Sequence, residues 1–456
     1  MVSPDSQDKK IQDLGLDTER IPKLLFRYSL PAIISMTAAS LYNIVDVIFI
    51  GRGVSAMAIA GLSITLPLMN MSSAFGSLIG VGASSLVAVR LGQRDIKSAE
   101  VALGNAVTLN LIIGICYSIV ALLFLEPLLL FFGASSESLP YAKEYMQIIL
   151  FGNVFTHLYL GLNDNLRASG YPKIAMIATL TAVGINCILD PIFIFGFKWG
   201  IRGAAIATVT SQLAALVWLL IHYMNPKSLL HFKKGIFKIR KGVPGSIISV
   251  GLSPFLLNVC NCFIVILINR AFYKYGGDFA VGAYGIANRL IFLVVMVALG
   301  FNQGMQPLVG FNYGAQKYDR VIKLFWATLC CVACVCTLAF VLCEFFPEPI
   351  VRLFTNHPQL IDLTVQGLRI DVLLFPLIAI PLVVSSFFQA IRKPGKAIFM
   401  SLTRQVIFLI PLLLILPRFY GTLGVWASLP ASDTISILVG SILIYRQLKS
   451  FKQYGK

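Results

Sequence analysis

The chain reads as an all-α polytopic membrane protein: twelve transmembrane helices in two six-helix lobes related by a parallel internal repeat. Three observations predict this. Apolar residues make up 57% of the 456 positions and charged residues only 12%, about half the charge of an ordinary soluble domain. The apolar residues fall in runs of about 20, long enough as helices to cross a bilayer. The second half also repeats the first at an offset of about 222 residues.

The runs lie at about 29–51, 58–82, 101–125, 145–166, 174–196, 203–224, 245–270, 280–303, 322–345, 370–391, 397–417 and 423–445. Strands would need only half that length and would alternate apolar with polar residues, which these do not. Prolines inside them, among them Pro31, Pro67, Pro191, Pro254 and Pro411, are compatible with bundled membrane helices, whose neighbours re-satisfy the freed backbone groups. The expected organisation is a cytoplasmic N-terminal segment 1–23, an N-terminal lobe 24–224, a basic cytoplasmic linker 225–244, a C-terminal lobe 245–447 and a cytoplasmic tail 448–456.

The repeat is carried by particular residues. Gly92 falls opposite Gly314, Ala168 opposite Ala390 and Pro172 opposite Pro394, while Pro31 and Pro254, and Gly200 and Gly421, align within one residue of that offset. Six crossings per repeat bring both halves in from the same side, so the pseudo-two-fold axis runs along the membrane normal. Two such bundles leave a central cleft that can open alternately to either side, an arrangement suited to transport rather than to a pore.

The net charge of +17 does not imply a nucleic-acid partner. About 26 of the 37 Lys and Arg fall in segments that are cytoplasmic if the N-terminus is inside, and the positive-inside rule then places both termini there. The densest group, Lys227, Lys233, Lys234, Lys238, Arg240 and Lys241, is read as an inter-lobe linker lying on anionic lipid headgroups. The polar residues 1–23 lack the apolar core of a signal peptide. The nine cysteines all lie in apolar runs and are read as small hydrophobes, the Cys331-x-x-Cys334 spacing included. His157 is read as a packing residue, because no second ligand sits at i+3 or i+4. No phosphate-binding loop is present, so an ion gradient is the expected energy source.

An ion needs ligands, and few polar groups lie inside the spans. Asp46 sits deep in the first, on a stripe with Ser35 and Tyr42 and beside Asn43; Asn186 and Asp190 are four apart in the fifth, with Thr179 on the same face; Thr208 and Gln212 are four apart in the sixth. An aspartate in hydrocarbon is costly unless it faces a cavity or partner, so it can exchange a proton or coordinate Na⁺; a purely structural hydrogen bond is the alternative. Asp433, in the twelfth span, is a third intramembrane acid, and pairing with Arg404 or Arg289 is the expected way to keep it there. Met36, Tyr42, Met69, Asn70 and Ser73, with Phe75, are candidate cleft-lining groups suited to varied hydrophobic cations.

At these residues the sequence resembles the multidrug and toxic compound extrusion (MATE) family, in its MepA-like prokaryotic branch. The resemblance runs from about residue 22 to 447: Asn43-x-x-Asp46 and the Gly51-Arg52 that follows, Leu91-Gly92-Gln93, Arg167-Ala168-Ser169-Gly170-Tyr171-Pro172, Asn186-x-x-x-Asp190-Pro191-x-Phe193-x-Phe195-Gly196, Asn288-Arg289 and Arg404-Gln405-Val406. It implies antiport of H⁺ or Na⁺ against organic cations, and a cation site in the first lobe built on Asp46, Asn186 and Asp190 with Thr208. It also implies a monomer in a prokaryotic plasma membrane, with no cofactor, no metal and no catalytic residue. Acids that some members carry in the seventh and tenth helices are replaced here by Asn258, Asn261 and Asn269 and by Ser385, Ser386 and Gln389, with Asp371 at an exterior helix end, so no second-lobe ion site is expected. A lipid-linked oligosaccharide flippase of the same superfamily, and a membrane-embedded enzyme, are the competing readings. The first wants a cationic cleft, and the second a clustered His, Asp, Ser or Cys constellation that four scattered histidines do not supply.

Overall fold

A computed structural model describes residues 11, 12 and 14–454. Part of the expected N-terminal segment, residues 1–10 and 13, and the last two residues of the expected tail lie outside the described residues. Twelve helical crossings are present among the described residues. The first six are Ile21–Gly53, Ala56–Gly92, Ile96–Leu123, Leu139–Ala168, Pro172–Pro191 continued by a π-helical turn Ile192–Gly196, and Gly200–Met224. The helix Val243–Gly314 supplies the seventh and eighth, because Gly277 leaves the helical conformation (φ 68°, ψ −163°) and turns the chain back. Tyr318–Phe345 is the ninth, and Pro358–Val372 with Phe375–Ala390, bent by 56°, the tenth. The eleventh runs from Pro394 through a π-helical turn Thr403–Leu409 to Gly421 (φ 55°), and the twelfth from there to Tyr454. A positive φ costs glycine nothing, which is why the two tight reversals fall on Gly277 and Gly421.

The chain forms two compact units, and their membership differs from a simple cut in the linker. Of the described residues, one comprises those up to Thr18 and Ile34–Phe255; the other comprises Glu19–Ile33 and those from Leu256 onward. The first and seventh spans therefore change unit part-way along, within three residues of Pro31 and Pro254.

Close backbone packing accounts for this. In the first unit Gly82 lies against the backbone of Ile247 and Gly251 against that of Leu78. In the second, a Cβ on Gly304 would lie 2.6 Å from Ser29 Cα, and one on Gly300 2.8 Å from Ile33 Cα. Gly82 and Gly304, and Ser29 and Gly251, stand at the repeat offset, so one helix crossing built on small residues occurs twice. The loops repeat as well: Arg94 (φ 59°) and Gln316 (φ 58°), at the same offset, both take the left-handed conformation after the second and eighth spans. Asp95 then caps the third, accepting from the Ser98 N–H at 3.0 Å, a bond that holds its carboxyl below the usual carboxylate range.

The basic linker is held to the first unit by specific bonds. The Asn105 amide donates to the carbonyls of Ile236 (3.3 Å) and Lys238 (3.2 Å) and accepts from the Arg240 N–H (3.1 Å), while the Thr108 hydroxyl donates to the Phe237 carbonyl at 2.8 Å. Lys233 pairs with buried Glu100 at 2.5 Å, and Phe232 stacks on Tyr223 at 5.3 Å. One of its cations is thus spent inside the protein; Lys234, Lys238, Arg240 and Lys241 remain exposed.

Candidate functional site

The first, fifth and sixth spans, all in the first unit beyond Ile34, meet at a buried polar cluster. Asp46 (5% exposed), Asn186 (1%), Asp190 (0%) and Thr208 (3%) lie in it together. Pro191 shapes it locally. Lacking an N–H it cannot continue the ordinary ladder, and the chain opens into the π-helical turn directly after Pro191. That turn packs Ile194 and Phe195 against Gly53 at the end of the first span, which draws the first and fifth helices together beside the two aspartates.

The hydrogen bonds link three helices. Tyr42 Oη and Thr208 Oγ1 are 3.2 Å apart. The Asn186 amide, in the orientation that satisfies both its ends, donates to Asp190 Oδ2 at 2.8 Å and accepts from the Thr208 N–H at 3.3 Å. Asp46 and Asp190 are close enough for each carboxylate to act on the other, and Asp46 Oδ1 is buried with no hydrogen-bond partner among the described residues. Two adjacent carboxylates cannot both stay ionised in an apolar interior unless a cation or a proton lies between them.

Tyr145, from the fourth span, belongs to the cluster and was not foreseen. It is 1% exposed and lies near enough to Tyr42, Thr208 and both aspartates for them to act on its hydroxyl. Asn43 and Thr179, by contrast, do not join. Asn43 is exposed, and Thr179 accepts instead from Tyr159 (3.1 Å) and Asn163 (3.3 Å). Gln212 accepts from Thr156 on the fourth span.

Of the candidate substrate-contacting residues, Asn70 and Ser73 are exposed side by side on the second span, and Met36, Tyr42 and Met69 are half-buried. Met69 is anchored by the Thr65 hydroxyl at 3.8 Å, and Phe75 is clasped between Tyr117 (5.6 Å) and Phe255 (4.9 Å). His157 is fully buried and hydrogen-bonded to Ser72 at 3.1 Å, within a set of side chains that includes Asn153. All nine cysteines are free thiols.

In the second unit Asp433, fully buried, pairs with Arg404, whose Nε and Nη2 both face the carboxylate. Arg289 is exposed and takes no part. Asp371 is buried (7% exposed) close enough to Arg404 and Asp433 to feel both charges, rather than standing free at a helix end. Asn261 of the seventh span accepts from Gln405 at 2.8 Å.

A two-unit helical bundle with a parallel repeat, and a buried acid pair in one unit, defines a polytopic membrane transporter rather than an enzyme. The MatE family matches residues 31–192 and 251–415, and the chain belongs to that family. It is 28% identical over 425 residues to the multidrug export protein MepA of Staphylococcus haemolyticus, covering 93% of each chain, and equally to that of Staphylococcus aureus. The fold is also that of solved structures. A MATE transporter in its bent conformation superposes with a TM-score of 0.92 at 23% identity over 97% of this chain and 98% of that one. A MOP superfamily transporter from Pyrococcus furiosus, described as having a binding pocket of reverse polarity that suggests a different function, superposes with a TM-score of 0.90 at 24% identity over 96% and 98%.

Proposed function

We propose that the protein is a secondary active multidrug exporter, which expels organic cations in exchange for H⁺ or Na⁺ by alternating access. Asp46 and Asp190 hold the coupling cation, with Asn186, Thr208 and Tyr42 supplying neutral oxygens. The observation that carries this reading is the Asp46–Asp190 pair. Both carboxylates are buried, and among the described residues neither takes part in an ion pair with lysine or arginine, so the site has an unmet demand for positive charge. Hydroxyl, amide and carboxylate oxygens are the hard ligands that suit an alkali cation, and the same two carboxylates can share a proton.

The relatives named multidrug export proteins supply the substrate class. The half-buried methionines and Tyr42, with exposed Asn70 and Ser73, are adaptable and aromatic surfaces of the kind that accept varied hydrophobic cations. The bias of Lys and Arg supports an orientation with both termini cytoplasmic. The protein in proteoliposomes, given a H⁺ or a Na⁺ gradient separately, should move a fluorescent organic cation against one of them. Transport that is indifferent to both gradients would refute antiport.

A further inference from the structure

The second unit carries a groove that the transport reading leaves unused. It has a volume of about 600 Å³ and runs between the first turns of the ninth span and the last turns of the twelfth, with Ile380 of the tenth at its side. That size is within the range of small-ligand sites, roughly 300–1,000 Å³. Its floor is apolar: Phe325 is fully buried, and Ile444 and Leu448 are each 8% exposed.

The twelfth helix sets its polarity. Ser441, Tyr445, Leu448, Lys449 and Lys452 recur at helical spacing on one face, so the stripe changes along its length from a small residue deep in the span to two cations at the end. Ser441 and Lys452 are eleven positions apart, roughly 16 Å along the axis. Trp326 (52% exposed) and Tyr445 (68%) flank the groove, as aromatic side chains do where hydrocarbon meets headgroups. No acid lines it, and among the described residues neither lysine takes part in an ion pair.

We propose that this groove binds an anionic phospholipid, its phosphate held by Lys449 and Lys452 and one acyl chain lying along the floor past Tyr445 toward Ser441. The occupant must be amphiphilic, because the groove joins an apolar trough to a cationic mouth, and must carry a negative head, because both polar lining groups at the mouth are ammonium ions. The bilayer around the protein presents such molecules at high local concentration. Two cations close to an anionic headgroup should favour it over a zwitterionic one roughly thirtyfold.

Native mass spectrometry of the full chain, purified with equimolar phosphatidylglycerol and phosphatidylcholine and separately with oleate, tests the proposal. Wild type should retain phosphatidylglycerol preferentially. The double variant Lys449→Gln with Lys452→Gln should bring the two lipids to near parity, and Ser441→Trp, which fills the deep end, should lose the bound lipid with both lysines intact. Equal retention of the two lipids by wild type, an unchanged preference in the double variant, or displacement of phosphatidylglycerol by equimolar oleate would each overturn it. The lysines are exposed at the helix end, so the double variant remains informative if Ser441→Trp fails to fold.

Discussion

Replacing Asp190 by Asn should uncouple transport while leaving the fold in place. The amide has nearly the shape of the carboxylate, and its oxygen can still accept the Asn186 N–H that reaches Asp190 Oδ2 at 2.8 Å. What disappears is one of two negative charges. If the two carboxylates stand roughly 4 Å apart where the effective dielectric constant is about 20, their mutual repulsion when ionised is about 4 kcal/mol. A cation placed between them relieves that repulsion, which is worth about a thousandfold in its affinity. Asp190→Asn should therefore weaken cation binding by about three orders of magnitude and reduce gradient-driven efflux to the passive leak. The assay is efflux from proteoliposomes with an imposed gradient, beside the melting temperature of the same preparation. Wild-type efflux from a well-folded Asp190→Asn protein would remove Asp190 from the mechanism, and loss of folding would assign it a structural role instead.

Other expectations follow from the packing. Asp433→Asn strands the Arg404 charge; breaking such a pair typically costs 3–5 kcal/mol, and because Arg404 is 33% exposed about 3 kcal/mol is expected, seen as a larger drop in melting temperature than Asp46→Asn causes. An equal or smaller drop would show that the pair does not hold the second unit together. Gly82→Leu drives a side chain into the Ile247 backbone and should cost at least 1–3 kcal/mol, measurable as lost yield of folded protein; a normal yield would contradict the packing described. Asn105→Ala removes three bonds to the linker backbone and should speed tryptic cleavage at Lys234 and Lys238 severalfold, whereas unchanged cleavage would mean that the strap is held elsewhere. Tyr145→Phe should shift the cation dependence of transport while leaving melting nearly unchanged, since only a hydroxyl near the two aspartates is lost.

Much of this architecture could be read from the sequence because lipid enforces it. A span must be about 20 apolar residues long, so the runs gave the crossings, and a charge inside one must have a purpose, so Asp46, Asp190 and Asp433 stood out. Helical spacing then placed Asn186 with Asp190. It failed for Asn43 and Thr179, which share a stripe or an edge with the aspartates but turn to other surroundings.

What escaped the sequence depends on contacts between distant segments. Tyr145 has no polar neighbour at i+4 to mark it, and the polar groups it lies near belong to other spans. Asp371 looked like a helix-end acid because the bend between Val372 and Phe375, which keeps it buried near Arg404, leaves no periodic signal. Asn105 and Glu100 carry no sequence pattern that marks them, and only the fold shows that they fasten the basic linker. The sequence carried clues to the shared spans: Gly82 stands opposite Gly304 and Ser29 opposite Gly251 at the repeat offset, and a missing or small side chain signals close approach. The unit that each segment joins is decided by packing that periodicity does not encode.

The central claim is that one cation site in the first unit is coupled to substrate binding, and linkage makes that claim symmetrical. If binding a cation at Asp46 and Asp190 lowers drug affinity by some factor, binding drug must lower cation affinity by the same factor. The direct measurement is equilibrium binding of one fluorescent organic cation to purified protein between about pH 5 and about pH 9, with and without Na⁺, in wild type, Asp46→Asn and Asp190→Asn. The account predicts an affinity that varies with one of these cations in wild type and is flat in both variants. Equal affinity in wild type across all conditions would contradict coupling through this site.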